Sequence, residues 1–372
     1  MSDAGIASTL TRDEAFARIR LLRSPSVGPV SYFQLLRRFG TAVEALAALP
    51  DLIARGGKPY HPASSSRIED EIAAVRKLGA RYLFHDMPGY PSALCQLESP
   101  PPILTVRGDG ALFERPSVAI VGARNASAGA VKLSRQFAAA LADAGYAVVS
   151  GLARGIDSAA HSGALGAMNN GGGTVGVIAS GIDIAYPPEN ADLQEDVAAR
   201  GLLVAEMPPT TEPLARHFPW RNRIIAGLAT GTLVVEAAPK SGSLITARLA
   251  AESGREVMAI PGSPLDSRSQ GCNHLIREGA ILVQSPEEVM ELLVGFTGQP
   301  RSTLRENDGE LFAPPEEVES ADIVGLLSSA PVGIDEVVRQ SGSSTGAVQM
   351  ALIELELAGR LVRHAGGRIS LA

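Results

Sequence analysis

The chain has 372 residues, 45% of them hydrophobic and 20% charged, with a formal net charge of −7; these are the proportions of a soluble globular protein with room for two or three domains. The acidic balance excludes a polyanion binder that works through bulk charge, so any nucleic-acid site has to be a local concentration of Lys and Arg. Cys95 and Cys272 have neither disulfide nor metal-ligand spacing, the start of the chain has no signal-like apolar core, and no apolar run could span a bilayer; the reading is a cytoplasmic protein with no membrane contact, metal or cofactor.

Residues 10–80 read as a small all-α domain. Phe16, Ile19 and Leu22 share a helical face, Val27-Gly28-Pro29 makes a turn, and a second helix runs from Tyr32 to Gly40. This hairpin is similar to helix-hairpin-helix and sterile-alpha-motif-like modules, whose hairpin N–H groups can meet phosphates. A packing αα-hairpin gives the same pattern, and few basic residues flank Gly28. The stretch 55–66 is rich in Gly, Pro and Ser and reads as a loop.

From residue 81 to 295 short apolar runs alternate with helical patterns. After two strands at Arg81–Phe84 and Ile103–Arg107, strands are expected at Val118–Val121, Tyr146–Val149, Thr174–Ile178, Leu202–Ala205, Thr232–Glu236, Glu256–Ile260 and Ala280–Val283. Between them fall helices at Ser127–Ala144, Ile156–Ala167, Ala191–Arg200, Trp220–Leu228, Leu244–Gly254 and Cys272–Glu278. The alternation predicts an α/β core, a Rossmann-like doubly wound and mostly parallel sheet with helices on both faces.

Residues 296–318 combine Gly, Pro, Asn and acids and read as a linker. In 319–372, three short helices, Asp322–Leu327, Ile334–Gln340 and Thr345–Leu357, precede a hairpin over Leu361–Leu371, so the unit is winged-helix-like. Its third helix has no Lys or Arg and carries Glu354 and Glu356, which favours packing or protein docking over major-groove reading.

Ligands of a doubly wound sheet bind beyond the carboxyl ends of its strands, so those loops are where chemistry is sought. The first offers Gly122, Arg124 and the helix-capping hydroxyl of Ser127; the second, Gly151, Arg154 and Gly155; the third, Ser180 and Gly181 ahead of Tyr186-Pro187-Pro188-Glu189-Asn190. The fourth leads to His217, Phe218, Trp220, Arg221, Asn222 and Arg223, and the fifth brings Lys240, Ser241, Gly242 and Ser243 to a helix start. Small residues and helix N-termini expose N–H groups, Arg and Lys add full charge, and rings offer faces for bases. Together the five loops describe a groove for successive phosphates; core packing of Phe218 and Trp220 remains the plain alternative.

Enzymatic readings are weaker. Asp157 and His161 share one helix downstream of Ser150, yet no G-x-S-x-G elbow accompanies them, and neither the P-loop nor the dinucleotide fingerprint occurs. Glu236 is either a hydrolase carboxylate or a strand-end acid that holds a neighbouring loop's N–H groups.

The blocks VAIVGARNAS, VVSGLARGIDSAAH, SGIDIAYPPEN, HFPWRNRIIAGL, VVEAAPKSGSLITARLA and VMAIPGS, followed by GCNHLIREGA, resemble the DNA-processing protein A (DprA/Smf) family over Val118 to Val283. The resemblance implies a single-stranded DNA binder without base specificity, a homodimer through its core, that helps load the RecA recombinase during natural transformation and is not an enzyme. It further implies that Arg124 is a principal phosphate contact, that Arg154, Arg221, Arg223 and Lys240 line the same groove, and that Gly122, Gly151, Gly181 and Gly242 offer N–H groups. Many members carry a basic residue in the YPxxN block, where this chain has Pro188; Arg216 is the candidate substitute. A nucleotide-processing hydrolase similar to the phosphoribohydrolases, acting through Glu236, is the alternative function on the same fold, although the PGG-x-GT signature of that group is missing.

Overall fold

The computed structural model describes residues 10–54, 60–167, 172–294, 323–328, 330–364 and 367–372. These fall into two compact units, one made of the residues up to Glu69 and those from Leu304 onward, the other of Asp70 to Thr303.

The larger unit is built on a nine-stranded sheet. Its strands are β1 (Arg81–Phe84), β2 (Ile103–Gly108), β3 (Ser117–Val121), β4 (Ala147–Ser150), β5 (Gly173–Ile178), β6 (Leu202–Ala205), β7 (Gly231–Val234), β8 (Glu256–Ala259) and β9 (Ile281–Leu282), in the spatial order β1-β2-β6-β5-β4-β3-β7-β8-β9. From β6 to β9 every pairing is parallel, while β1 and β2 form an antiparallel edge, β2 pairing with β6 at Thr105↔Ala205. Strands β3 to β6 therefore step away on one side of β3, and β7 to β9 on the other. The chain reverses its direction of winding between β3 and β7, and a crevice opens at such a switch point.

The strands form because both faces are covered, which turns them into runs of Val, Ile, Leu and Ala. Along β3, Val118 and Ile120 enter one apolar cluster with Phe137 and Leu141 of helix α6 (Ala128–Asp143), while Ala119 and Val121 enter the opposite cluster with Ile224, Ile225 and Leu228 of α9 (His217–Leu228). The remaining helices are α4 (Ser65–Lys77), α5 (Ser92–Cys95), α7 (Ile156–Gly166), α8 (Ala191–Arg200), α10 (Gly242–Glu252), α11 (Gln270–Arg277) and α12 (Pro286–Val294). Helix α9 begins three residues before the expected Trp220: Pro219 lies in the first turn, where an N–H would find no intrahelical partner and proline is tolerated. Helix α12 had no counterpart in the sequence reading.

In the smaller unit, α1 (Arg12–Leu22), α2 (Pro29–Phe39) and α3 (Ala42–Ala54) enclose Leu21, Tyr32, Leu35 and Leu49, and the Glu14 carboxylate accepts the Ala42 N–H at 2.8 Å at the start of α3. The winged helix consists of α13 (Ile334–Ser341), α14 (Thr345–Leu357) and a sheet of β10 (Val332–Gly333), β11 (Leu361–His364) and β12 (Arg368–Leu371) in the order β10-β12-β11. The expected first helix is described only from Ile323, and the expected linker lies outside the described residues. Strand β10 is too short to leave a period in the sequence. Helix α14 buries Val348, Leu352 and Leu355 in its own module, whereas Ile353 joins the apolar core of α1–α3. Among the described residues no helix is long and apolar enough to cross a membrane.

Candidate functional site

At the switch point lies a cleft of about 890 Å³. Gly122 and Arg124 reach it from the loop after β3, Phe218, Arg221 and Asn222 from the first turns of α9, and Lys240, Ser241, Gly242 and Ser243 from the loop that opens α10. A recess of about 50 Å³ adjoins it, lined by Gly151, Arg154, Tyr186 and Pro187 and sharing Arg124, Phe218 and Arg221. Eleven positions expected from the sequence thus border one continuous depression.

Its centre is a stack of charge on a ring. The Arg124 guanidinium carbon sits 5.0 Å from the Phe218 centroid and that of Arg221 5.9 Å, while Tyr186 meets the same ring at 5.6 Å with planes tilted by 59°. The ring quadrupole holds both cations without neutralising them. Arg221 is 6% exposed and faces Asp157, with Nη1 to Oδ2 at 3.9 Å. Burial pulls the Arg221 pKa down to about 10, and Asp157 pulls it back up. The Asp157 carboxyl is pushed up by its burial and drawn down by Arg221 and by the Ala153 and Gly151 N–H groups. The Arg221 Nε–H is buried and has no hydrogen-bond partner among the described residues, an unmet donor beside the depression.

Glycine makes room for this arginine. A Cβ on Gly151 would stand 1.3 Å from Arg221 Nη1. A Cβ on Gly122 would meet Ile156 Cγ1 at 2.5 Å and the Glu236 carbonyl oxygen at 2.9 Å, so β3 can turn sharply into the cleft only without a side chain there.

Helix α10 aims its N-terminus at the cleft. Ser241 is the N-cap, its Oγ 2.8 Å from Ser243 Oγ and accepting the Ser243 N–H at 3.4 Å, and Asn222 Nδ2 donates to the Gly242 carbonyl at 3.4 Å. Lys240 is exposed and adopts a left-handed conformation, φ 66°, uncommon for a residue with a side chain. Among the described residues it makes no ion pair.

Other expected residues serve the frame instead. Ser127 caps α6 by accepting the Ala130 N–H at 3.1 Å, and it gives its N–H and hydroxyl to Glu236 at 3.0 and 2.6 Å. Gly155, at φ 74°, precedes α7 against the Ala123 and Arg124 carbonyl oxygens. Ser180 Oγ donates to the Ile184 carbonyl at 2.8 Å, and the Gly181 N–H, expected to be open to phosphate, donates to Thr211 O at 2.9 Å. His217 is buried, accepts the Leu214 N–H on Nδ1 at 3.3 Å and stacks on Trp220, which is half exposed. Arg223 pairs with Glu206 beneath α9 and borders neither depression. Arg216 occupies the α9 N-cap, exposed but outside both linings.

Among the cleft residues that the sequence does not single out are Tyr186, whose ring lies in a proline-rich block, and Arg268, in the loop after β8, a strand end to which the same rule applies. The Asp157, His161 and Ser150 grouping does not assemble: Ser150 Oγ donates to the Ile120 carbonyl at 2.6 Å, and His161 is taken up by Thr174 Oγ1 at 2.7 Å and the Leu152 N–H at 3.3 Å.

Fold and crevice define a class: Rossmann-like α/β proteins with a cationic, ring-lined depression at the switch point, preceded in sequence by a helical module and followed by a winged helix. The description "DNA recombination-mediator protein A" fits residues 81–294, a "DprA-like N-terminal HHH domain" fits 12–74, and a "DprA winged helix domain" fits 312–367. The chain belongs to the DprA/Smf family. It is 38% identical to Protein Smf of Escherichia coli over 82% of this chain and 81% of that protein, and 46% identical to DNA processing protein DprA of Streptococcus pneumoniae over 54% and 70%. The X-ray structure of the S. pneumoniae DprA aligns with a TM-score of 0.62 at 35% identity, over 76% of this chain and 98% of that one. A DNA processing protein A from Helicobacter pylori, whose structure is described for its single-stranded DNA binding mode, aligns at 0.53 and 28% identity, over 58% and 96%.

Proposed function

We propose that the chain binds single-stranded DNA without base specificity, the backbone following the depression at the switch point, and that it acts as a recombination mediator that loads the RecA recombinase on incoming strands during natural transformation. The observation that carries this reading is the pair of guanidiniums, Arg124 and Arg221, stacked on Phe218 beside the α10 N-terminus and Lys240. Charge tracks phosphates, and an exposed ring such as Tyr186 accepts any base face, which is the chemistry of binding without base specificity. The single-stranded DNA binding described for the H. pylori relative supports the ligand class. Self-association through the core and residence in the cytoplasm belong to the same proposal.

In fluorescence anisotropy with an unstructured oligonucleotide, binding weakens as salt rises, and Arg124→Ala lowers affinity by about tenfold, the scale of one lost charge-assisted contact. Equal affinity of the variant would remove the site from this cleft. The hydrolase alternative loses its residue, since Glu236 is buried with both carboxylate oxygens on Ser127.

A further inference from the structure

Not all the cations around the depression are equivalent. Arg124 lies on a ring and Lys240 has no ion pair among the described residues, but Arg154 and Arg268 each hold a carboxylate from their own surroundings. Arg154, in the smaller recess, pairs through Nε with Glu189 of the proline-rich block after β5. Arg268, in the larger cleft, receives Asp266 bidentately, with Nε to Oδ1 at 3.1 Å and Nη2 to Oδ2 at 2.9 Å. All four side chains are a third or more exposed, so solvent and ligand reach both pairs.

We propose that Glu189 and Asp266 are internal competitors of the nucleic-acid backbone: each occupies the guanidinium that a phosphate would take, so that a strand is held at the rim only by displacing a carboxylate. The proposal rests on the single-strand reading of the cleft and adds to it the residues that set affinity. Exposed ion pairs are individually weak, so a phosphate carrying the field of its neighbours can displace them, whereas an isolated phosphate gains little over the carboxylate already present. Once displaced, Glu189 or Asp266 stays beside a polyanion and repels it. Neither escapes by taking a proton near neutrality: the hydrogen bond from Arg154 lowers the Glu189 pKa, and that from Arg268 lowers the Asp266 pKa. The arrangement therefore favours ligands with several linked phosphates over mononucleotides.

The competition also leaves a mark on salt dependence. In the wild type an arginine that goes over to phosphate releases a counterion from the DNA but leaves behind a bare carboxylate, which takes up a cation; the two effects oppose each other. With the carboxylate neutralised, only release remains, and the slope of log affinity against log salt steepens by up to about 0.7 per arginine for a single strand.

The test uses full-length Glu189→Gln and Asp266→Asn proteins, alone and combined, in anisotropy titrations with an unstructured oligonucleotide from about 50 mM salt upward. Each variant is expected to bind about threefold or more tightly at the lowest salt, with a steeper slope and a gain that vanishes as salt rises, while thermal unfolding stays unchanged. Wild-type binding with identical affinity and slope in both variants overturns the proposal. Weaker binding by the variants also overturns it, by showing that the carboxylates position the arginines. Failure of the wild type to bind any single strand would instead count against the function proposed above.

Discussion

Arg221 can be buried because the residue above it has no side chain. Gly151→Ala would drive a methyl group into Nη1, so the guanidinium must leave or the β4 turn must shift. If it leaves, Asp157 is stranded without its ion partner, at a cost on the order of 3 kcal/mol, and Phe218 loses one of its two cations. Denaturant unfolding of Gly151→Ala is expected to show that loss together with about tenfold weaker strand binding; unchanged stability would mean that Arg221 has other space. At this scale the sequence was half legible. Arg124, Arg221 and Lys240 could be placed at strand ends by the alternation alone, but the sequence does not show that Gly151 must also be small to leave room for Arg221, or that its N–H faces Asp157. Gly181 and Arg223 show the same limit, since internal partners such as Thr211 and Glu206 come from segments that only the fold brings near.

Among the elements, α7 is tied to its strands by one imidazole. His161 is fully buried, takes the Leu152 N–H on one nitrogen and meets Thr174 on the other, and burial lowers its pKa from the ordinary 6.5 to about 3. Between these two values the unfolded chain binds a proton that the folded chain refuses. The stabilisation is therefore complete above pH 6.5 and is lost as pH falls towards 3, at about 1.4 kcal/mol per pH unit. Unfolding measured across that window should show a shallower acid slope for His161→Gln than for the wild type; parallel slopes would refute the assignment. Element order and type were readable because both-face burial writes continuous apolar runs into strands and a 3.6-residue period into helices. Ends were less so: α9 starts early because Pro219 and His217 look like loop residues, and β10 is only two residues long.

For the molecule as a whole, the winged helix is the other place where a DNA surface has to be sought, because modules of this shape commonly read DNA. Its third helix lacks Lys and Arg, and Ile353 is buried in the core of α1–α3, so that helix does not present a free reading face. Arg363 is engaged with Glu356 at 2.9 Å, which leaves Arg360 and Arg368 exposed. The full chain carrying Arg360→Ser and Arg368→Ser is expected to keep its single-strand affinity within about twofold, the ordinary worth of distant, screened charges; a loss as large as that of Arg124→Ala would move the interface to the wing. One property of the cleft acts at this scale too. Arg124 and Arg221 rest against Phe218, which is itself wedged by Tyr186, so their side chains have already given up much of their rotational freedom in the free protein. The centre of the depression is thus prepared in advance, and rearrangement of the protein is confined to the ion pairs at its rim. On the proposed function most of the reshaping falls to the strand, whose backbone has to find the path that the rings and guanidiniums have laid down.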